Sequence, residues 1–504
     1  MEASLKRSSF ACYHKLYSQL IRREEISECV VPDTMADIAS VVSTGGTPLI
    51  RSKDVSEGRV RLELNIPARV AYLPEGETGI CCLDVNIPVL LSVEDARIRE
   101  GSICTVGATL KALDTRVPNP RKLSVSAVLE LQLDCYGAGE TEQTAEPEDA
   151  NCGIHVRCRQ EEITAIAAVT EKTFVLTDEL TLEEGKLPAA EILLQQVTLA
   201  VEEARPVGTR VILKGSAHST VFYRTQDMAV DAAGFTTAFN QIVELDTDAE
   251  NGFIIPQLLL SGMYYEAAPG FDGRSLRMEL HAVAQVTLCR NETVQCLTDA
   301  YSNRYALELQ QSQRPLQCVR RELTLRESSR ETVETARPLR EILHCCARVH
   351  SVEVQGGDVT LVLLVRLFAR DEDGAAAVTK RLVTLQLHGD IQPQERLRVC
   401  GETVPELTAV PSGAGAELRL TAELRALVLL EQELNCITGI RYDEGRLLDL
   451  SDQPSLVMLR ATERDDLWRL AREYHSTVEA INDCNDLTTA EGAWEKLLLI
   501  PRCV

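Results

Sequence analysis

Aromatic residues are scarce in this chain: they make up 4% of its 504 residues, whereas hydrophobic residues as a whole make up 45%. Its cores must therefore be built mainly from Leu, Val, Ile and Ala. No apolar run approaches the roughly 18 residues that predict a membrane-spanning helix, and no signal peptide is recognisable at the N-terminus. Basic residues are also outnumbered, since the formal net charge is −24. This excess of acid argues against a nucleic-acid partner, because binding to phosphate backbones relies on clustered Lys and Arg.

The chain also lacks the short motifs of common catalytic and nucleotide-binding sites. Phosphate-binding loops of the G-x-x-x-x-G-K type, nucleophile elbows and Cys-x-x-Cys pairs are missing, and the eight histidines show no H-E-x-x-H spacing. The triplet His344-Cys345-Cys346 is the only dense cluster of soft ligands, but neighbours in sequence do not easily converge on one metal ion. We therefore predict no enzymatic activity, no metal site and no cofactor.

The cysteines do not follow the pattern of a secreted disulfide framework. They number 17, an odd count, and include the adjacent pairs Cys81-Cys82 and Cys345-Cys346. Adjacent cysteines rarely serve such a framework, and those within apolar runs resemble small buried hydrophobic residues. This usage predicts a reducing cytosol as the compartment.

Three segments of similar pattern begin at Gly58, Gly208 and Gly357, so the pattern recurs after about 150 residues. Each segment alternates apolar and polar residues, which is typical of an antiparallel strand with one buried face. The residues predicted to share the buried face are Val211, Leu213, Ala217, Val221 and Tyr223 in the second segment, and Val359, Leu361, Leu363, Val365 and Leu367 in the third.

A second alternating segment recurs later in each copy, starting at Leu123, Leu276 and Leu418. Turn-rich stretches precede it, as expected for hairpin connections. The predicted fold is mainly β: three tandem antiparallel β-sandwich or open-barrel domains followed by a small βααβ module. The predicted parts are an N-terminal helical segment (1–25), a first β domain (26–136), an acidic linker (137–151), a second β domain (152–292), a third β domain (293–441), a linker (442–453) and the terminal module (454–504).

The terminal module differs in pattern from the rest and contains both tryptophans of the chain. Asp465 and Asp466 are placed to cap a first helix, whose apolar positions Leu467, Leu470, Ala471 and Tyr474 form one stripe. Ser476, with Glu479 three residues later, predicts the cap of a second helix. Short apolar runs on both sides predict two strands.

This segment resembles the lysin motif (LysM) family in D-D-L-W-R-L-A-R-E-Y, S-T-V-E-A-I, N-D-L and L-L-I-P. The resemblance implies a groove that holds N-acetylglucosamine-containing glycans. Both glycines that usually line this groove are missing, since the chain has Arg464-Asp465-Asp466 and Trp494-Glu495-Lys496 there, so binding of a protein is a rival use. The implied ligand- or partner-binding residues are Asp465, Asp466, Leu467, Trp468, Asn485, Leu487, Trp494 and Glu495.

The whole chain resembles a second family, the SPOCS-domain spore-coat morphogenetic proteins of clostridia. The resemblance lies in VPDTMADI, NPRKLSV, LTDAYSNRY and ITGIRYDEGR, followed by a LysM module. It implies a non-enzymatic scaffold made in the mother-cell cytoplasm and recruited to the forespore surface, where it binds basement-layer proteins of the spore coat. In this reading the LysM-like tail docks the chain on another coat protein or on cortex glycan. The alternatives are a cell-wall protein that binds peptidoglycan, which would need export, and a peptidoglycan hydrolase, which would need a catalytic domain.

Overall fold

Strands account for most of the chain in the computed structural model, which describes residues 2–147, 153–267, 273–355, 357–413, 415–462, 466–487 and 497–503. A first set of strands comprises β1 (Leu5–Val30), β2 (Ile38–Gly46), β3 (Leu49–Ser56), β4 (Arg59–Pro74), β5 (Cys81–Glu94), β6 (Ile103–Asn119) and β7 (Lys122–Pro147). A second set comprises β8 (Ile154–Thr181), β9 (Glu191–Val207), β10 (Arg210–Arg224), β11 (Val230–Glu244), β12 (Phe253–Ala267) and β13 (Ser275–Ser302). A third set comprises β14 (Tyr305–Glu334), β15 (Leu339–Gln355), β16 (Asp358–Asp371), β17 (Ala376–His388), β18 (Glu395–Ser412) and β19 (Gly415–Leu447).

The three sets share one order of antiparallel pairing. In the first set β7 pairs with β1 and β6, while β4 pairs with β2, β3 and β5. The corresponding central strands are β13 and β10 in the second set, and β19 and β16 in the third. The repeated glycines Gly58, Gly208 and Gly357 lie in the turns that enter β4, β10 and β16, and all have positive φ, which glycine adopts without steric cost. The prediction of a mainly β, antiparallel fold is confirmed.

A separate apolar core lies within each set, between its two central strands. In the second set, the inward side of β10 packs on that of β13, and in the third set β16 packs on β19 in the same way. The predicted buried faces are confirmed, because each of those side chains is at most 1% exposed: Val211, Leu213, Ala217, Val221, Tyr223, Val359, Leu361, Leu363, Val365 and Leu367. The alternation of apolar and polar residues identifies the buried face because successive side chains of a strand point to opposite faces.

The sets also pack against one another. Residues Tyr13 and Ile166 pair β1 with β8, so that the long strands of the first two sets form one six-stranded sheet. A further apolar cluster takes side chains from all three sets, and within it the rings of Phe222 and Phe368 are 5.4 Å apart. The members of this shared cluster are Ala71, Ile80, Leu193, Leu194, Phe222, Val230, Ala232 and Phe368.

The prediction of a helical segment at residues 1–25 is wrong, since β1 occupies this part of the chain. The predicted linker at 137–151 is also strand as far as Pro147. The two segments pair with each other, for example through Cys12 and Gly139, so each satisfies the backbone hydrogen bonds of the other. The predicted limits at residues 25, 136, 292 and 441 all fall inside strands.

Two cysteines differ from the expectation of buried free thiols. Cys104 and Cys135 face each other across β6 and β7 and form a disulfide bond, with Cα atoms 4.1 Å apart. Cys12, Cys289 and Cys318 are among the buried cysteines that form no disulfide bond. The partner of each cysteine depends on strand register, which the spacing of cysteines in sequence does not contain. The predicted reducing compartment stays a prediction.

Candidate functional site

The C-terminal module consists of β20 (Leu456–Arg460), α1 (Leu467–Glu473), α2 (Val478–Cys484) and β21 (Leu497–Pro501), and β20 pairs antiparallel with β21. Each helix has seven residues. Neither of them, nor any other helix in the described ranges, is long and apolar enough to cross a membrane.

Capping residues start both helices. Of the two acids predicted at the start of α1, Asp466 is the cap, and its side chain accepts a hydrogen bond from the Trp468 amide at 3.2 Å. The cap of α2 is Thr477, whose hydroxyl accepts from the Ala480 amide at 3.0 Å, so the prediction of Ser476 was wrong by one residue. Ser476 is completely buried, and its side chain lies beside Cys503 instead of the free amides of the helix.

A small apolar core holds the module together. The predicted helical stripe is buried at Leu467, Leu470 and Ala471, while Tyr474 packs at the edge and remains half-buried. Leu487 is another partly buried residue at this core. The helices rest on the inner face of the two-stranded sheet, where Leu498 and Ile500 are each 1% exposed.

Asn485 connects α2 to β21 through its side-chain amide. Its Nδ2 donates to the carbonyl oxygens of Ile481 and Leu499, each at 2.7 Å, and its Oδ1 accepts from the Leu499 amide at 2.8 Å. The amide group is therefore used within the module. This bridging explains an Asn at the end of a short helix, where backbone groups lack helical partners.

Trp468 packs against the second strand set rather than facing solvent. Its indole Nε1 donates to Asp299 Oδ2 at 2.9 Å, and its ring meets the edge of the Tyr301 ring, with centroids 4.8 Å apart and planes inclined by 72°. Arg472, one turn further along α1, donates to Asp299 Oδ1 at 3.0 Å. The outer side of α1 is thus attached to the end of β13.

The start of α2 is attached to the same strand. The Ser476 carbonyl accepts two hydrogen bonds, from the Tyr301 hydroxyl at 3.1 Å and from Asn303 Nδ2 at 3.0 Å. Burial raises the pKa of Tyr301, so this hydroxyl keeps its proton and remains a donor. A surface ion pair between Arg157 and Asp466 adds a third connection. The module is therefore held in one orientation on its own chain.

The outer face of the β20–β21 sheet remains uncovered in the described part of the chain. Leu456 is 49% exposed, Met458 is 61% exposed and Leu497 is 57% exposed. The strand register places these residues on the side opposite the helices, since Val457 and Leu459 point to the module core. An apolar face of this kind is uncommon on a small surface element unless something binds to it.

The predicted site residues thus have different roles in the structure. Leu467, Trp468, Asn485 and Leu487 make contacts within the chain, and Asp466 caps a helix. Asp465, Trp494 and Glu495 lie outside the described residues. The exposed apolar face was not predicted from the sequence. Both faces of L-V-M-L-R carry apolar residues, so the sequence does not indicate which face is buried. Asp299, Tyr301 and Asn303, all within the phrase LTDAYSNRY, were not predicted either.

The triplet His344-Cys345-Cys346 lies on β15, away from the module. Burial and the nearby Lys186 lower the pKa of His344 to about 4, and burial raises the pKa of Cys345 to about 12. Both groups are therefore neutral near pH 7. In the described part of the chain, no three His, Cys, Asp or Glu side chains are grouped as metal ligands.

The chain was also compared with known proteins. It matches no protein-family model, and a search of curated proteins finds no match either.

Proposed function

We propose that the chain is a non-enzymatic assembly scaffold of the spore coat, and that its C-terminal module docks another coat morphogenetic protein. The observation that carries this proposal is the exposed apolar face of β20 and β21, formed by Leu456, Met458 and Leu497. Side chains of this kind contribute binding energy by leaving water at an interface. A glycan, in contrast, would need a groove lined with polar groups that pair with its hydroxyls.

The attachment of the module to β13 supports the same function. Hydrogen bonds from Trp468, Tyr301 and Asn303 fix the module at the end of the second strand set. A fixed module presents its outer face at one angle, which reduces the entropy that a partner must lose on binding. This arrangement suits a scaffold, in which the relative positions of bound partners matter.

The finer organisation belongs to the same proposal. We assign the three strand sets to three tandem domains of the SPOCS type and the tail to the LysM type, on the resemblances in sequence and on the common strand order. The scaffold would be made in the mother-cell cytoplasm and recruited to the forespore surface. Its partner would be a basement-layer protein of the coat.

A fluorescent fusion of the full chain, followed through growth and sporulation, tests the proposal. The unmodified chain should form a ring around the forespore, and the double variant Met458→Asp, Leu497→Asp should remain folded but lose the ring. Leu90→Asp is the matched control, because Leu90 is 68% exposed on a strand of the first set. If the double variant keeps its ring, the apolar face is not the docking surface. Signal on vegetative cell walls, or no ring for the unmodified chain, would contradict the scaffold function.

Binding of peptidoglycan or cortex glycan remains the second candidate, because the module has the strand-helix-helix-strand order that the LysM resemblance implies. Sedimentation of the full chain with purified peptidoglycan sacculi distinguishes the two. Sedimentation that survives Met458→Asp and Leu497→Asp would favour the glycan. Absence of sedimentation, together with loss of the forespore ring in the double variant, would favour the protein partner.

A further inference from the structure

A cavity of about 480 Å³ lies where the three strand sets meet. Its wall includes Gly46 and Lys111–Asp114 from the first set, Gln196 from the second, and residues of β15, β16 and β17 from the third. Arg22 and Leu382, both exposed, belong to the same wall and mark its opening to solvent. The volume is that of a site for a small molecule rather than for a protein segment.

Positive side chains are concentrated in this cavity, although the chain as a whole carries a net charge of −24. Arg348, Arg366 and Lys380 come from the third set and reach backbone carbonyls of the first set. Arg366 Nη2 donates to the Thr44 carbonyl at 3.3 Å, Lys380 Nζ donates to the Leu113 carbonyl at 3.3 Å, and Arg348 donates to the Leu110 carbonyl. These bonds place the cations but do not neutralise them.

None of these three cations forms an ion pair within the described part of the chain. Glu130 is already paired with Lys111 at 3.1 Å, and Asp114 is exposed and attracts Lys380 only from beyond ion-pair distance. The thiol of Cys346 lies near Arg348 and Arg366, but burial raises its pKa, so it is neutral. The cavity therefore holds several positive charges in a partly desolvated space.

The cations destabilise one another's charged forms. Burial, with the adjacent Arg366 and Arg348, lowers the pKa of Lys380 to about 8, and burial with Arg366 lowers the pKa of Arg348 to about 10. In addition, Nδ1 of His350 is buried without a hydrogen-bond partner. Buried polar atoms are normally paired, so this nitrogen is an unsatisfied polar atom on a residue that lines the cavity.

We propose that this cavity binds a small multivalent oxyanion of the phosphate class, such as phosphate or pyrophosphate. Arg348 and Arg366 supply planar guanidinium groups, which match phosphate oxygens in pairs, and Lys380 supplies a point charge. A single carboxylate would leave most of the positive charge uncompensated. Because the cations belong to the third set and their carbonyl partners to the first, the bound anion would also strengthen the contact between these sets.

Calorimetry of the full chain with sodium pyrophosphate, in magnesium-free buffer and against sodium chloride of equal ionic strength, tests this site. The unmodified chain should bind one pyrophosphate, and Lys380→Met should weaken the affinity by about tenfold or more, as expected for loss of a charge-assisted bond. Lys214→Met is the matched control, since Lys214 is 53% exposed and pairs with Glu203 on the surface. Its affinity should equal that of the unmodified chain.

Thermal unfolding without anion separates this role from a structural one. Lys380→Met should then unfold at the same temperature as the unmodified chain or higher, because the substitution removes a positive charge that Arg366 and Arg348 repel. The Lys380→Met variant should lose only the rise in unfolding temperature that pyrophosphate causes in the unmodified chain. Three results would each overturn the proposal. The Lys380→Met and unmodified chains could bind pyrophosphate with equal affinity, the response could follow ionic strength regardless of the anion, or the chain could bind citrate but not pyrophosphate.

Discussion

The indole nitrogen of Trp468 donates a 2.9 Å hydrogen bond to Asp299 Oδ2, and this contact joins the first helix of the C-terminal module to the last strand of the second set. The two residues are far apart in sequence, yet Asp299 also accepts from Arg472. One carboxylate therefore serves two donors of the same helix. The residue from which glycan binding would first be inferred is thus an internal anchor.

Asp299→Ala should loosen the module from β13 without unfolding the strand sets. The substitution leaves the indole N–H and the Arg472 guanidinium without their acceptor, which should cost about 1–3 kcal/mol of docking free energy. Hydrogen exchange of the α1 amides should become faster, while exchange in β10 and β16 stays unchanged. Asp483→Ala, at an exposed position of α2, is the control. Unchanged protection of α1 in Asp299→Ala would contradict the anchor.

The two donors to the Ser476 carbonyl should show a non-additive effect. Tyr301→Phe and Asn303→Ala should each cost about 1 kcal/mol or less through this contact, because the other donor still satisfies the carbonyl. The double variant leaves the buried oxygen unpaired and should cost more than the sum of the two single effects. A double-mutant cycle from denaturant unfolding measures this coupling, and strict additivity would count against a shared acceptor.

Replacement of Asn485 should lower the stability of the module more than the partial exposure of this side chain suggests. Asn485→Ala removes one hydrogen bond to the Ile481 carbonyl within α2 and two to Leu499 of β21, and we expect a loss of about 2–3 kcal/mol, limited to the module. Asn485→Asp can still accept from the Leu499 amide but cannot donate, so it should rescue only part of the loss. Proteolysis near β21 provides the measurement. Equal stability of all three proteins would contradict the bridging role.

His344 should make the chain less stable in mild acid. Its folded-state pKa of about 4 lies below the ordinary value of 6.5, so the unfolded chain binds the proton more readily between these limits. Stability is therefore lost as pH falls from about 6.5 towards 4, by about 1 kcal/mol at pH 5 for this partly exposed ring. His344→Gln should remove this part of the pH dependence. An equal loss of stability between pH 6.5 and 4 in the His344→Gln and unmodified chains would contradict this assignment.

The alternating strands should be sensitive to substitution at buried positions and not at exposed ones. Leu363 of β16 is fully buried, and Leu363→Ala should cost about 2–5 kcal/mol through lost burial and the cavity left behind. Leu90→Ala, at a position 68% exposed, should change stability by less than about 0.5 kcal/mol. Denaturant unfolding of both variants provides the comparison. Similar losses for the two leucines would mean that alternation does not mark the core.

The sequence predicted well wherever one short window contained the answer. The alternation from Val359 to Leu367 located a buried face. The acids Asp465 and Asp466 located the start of a helix to within about one residue. In each case neighbours along the chain decide the structure, through side-chain direction or a free amide within one turn.

Other predictions failed because the deciding partner is distant in sequence. Residues 1–25 were predicted to be helical, and they become strand because β7, more than a hundred residues later, supplies their hydrogen bonds. Ser476 is a good cap by composition, but burial beside Cys503 removes its side chain from the helix end. Trp468 fits both a ligand site and a packing site until Asp299 and Tyr301 are placed beside it.

The sequence by itself determined the class of structure: antiparallel strands repeated three times, aliphatic cores and a terminal strand-helix-helix-strand segment. Periodicity, glycine and capping residues are local signals, because they act between residues that are close together in the chain. Only the tertiary structure decided which surfaces remain available. It attached Trp468 to Asp299, left Met458 uncovered and brought Arg348, Arg366 and Lys380 into one cavity, because burial and charge proximity depend on contacts between residues far apart in the chain.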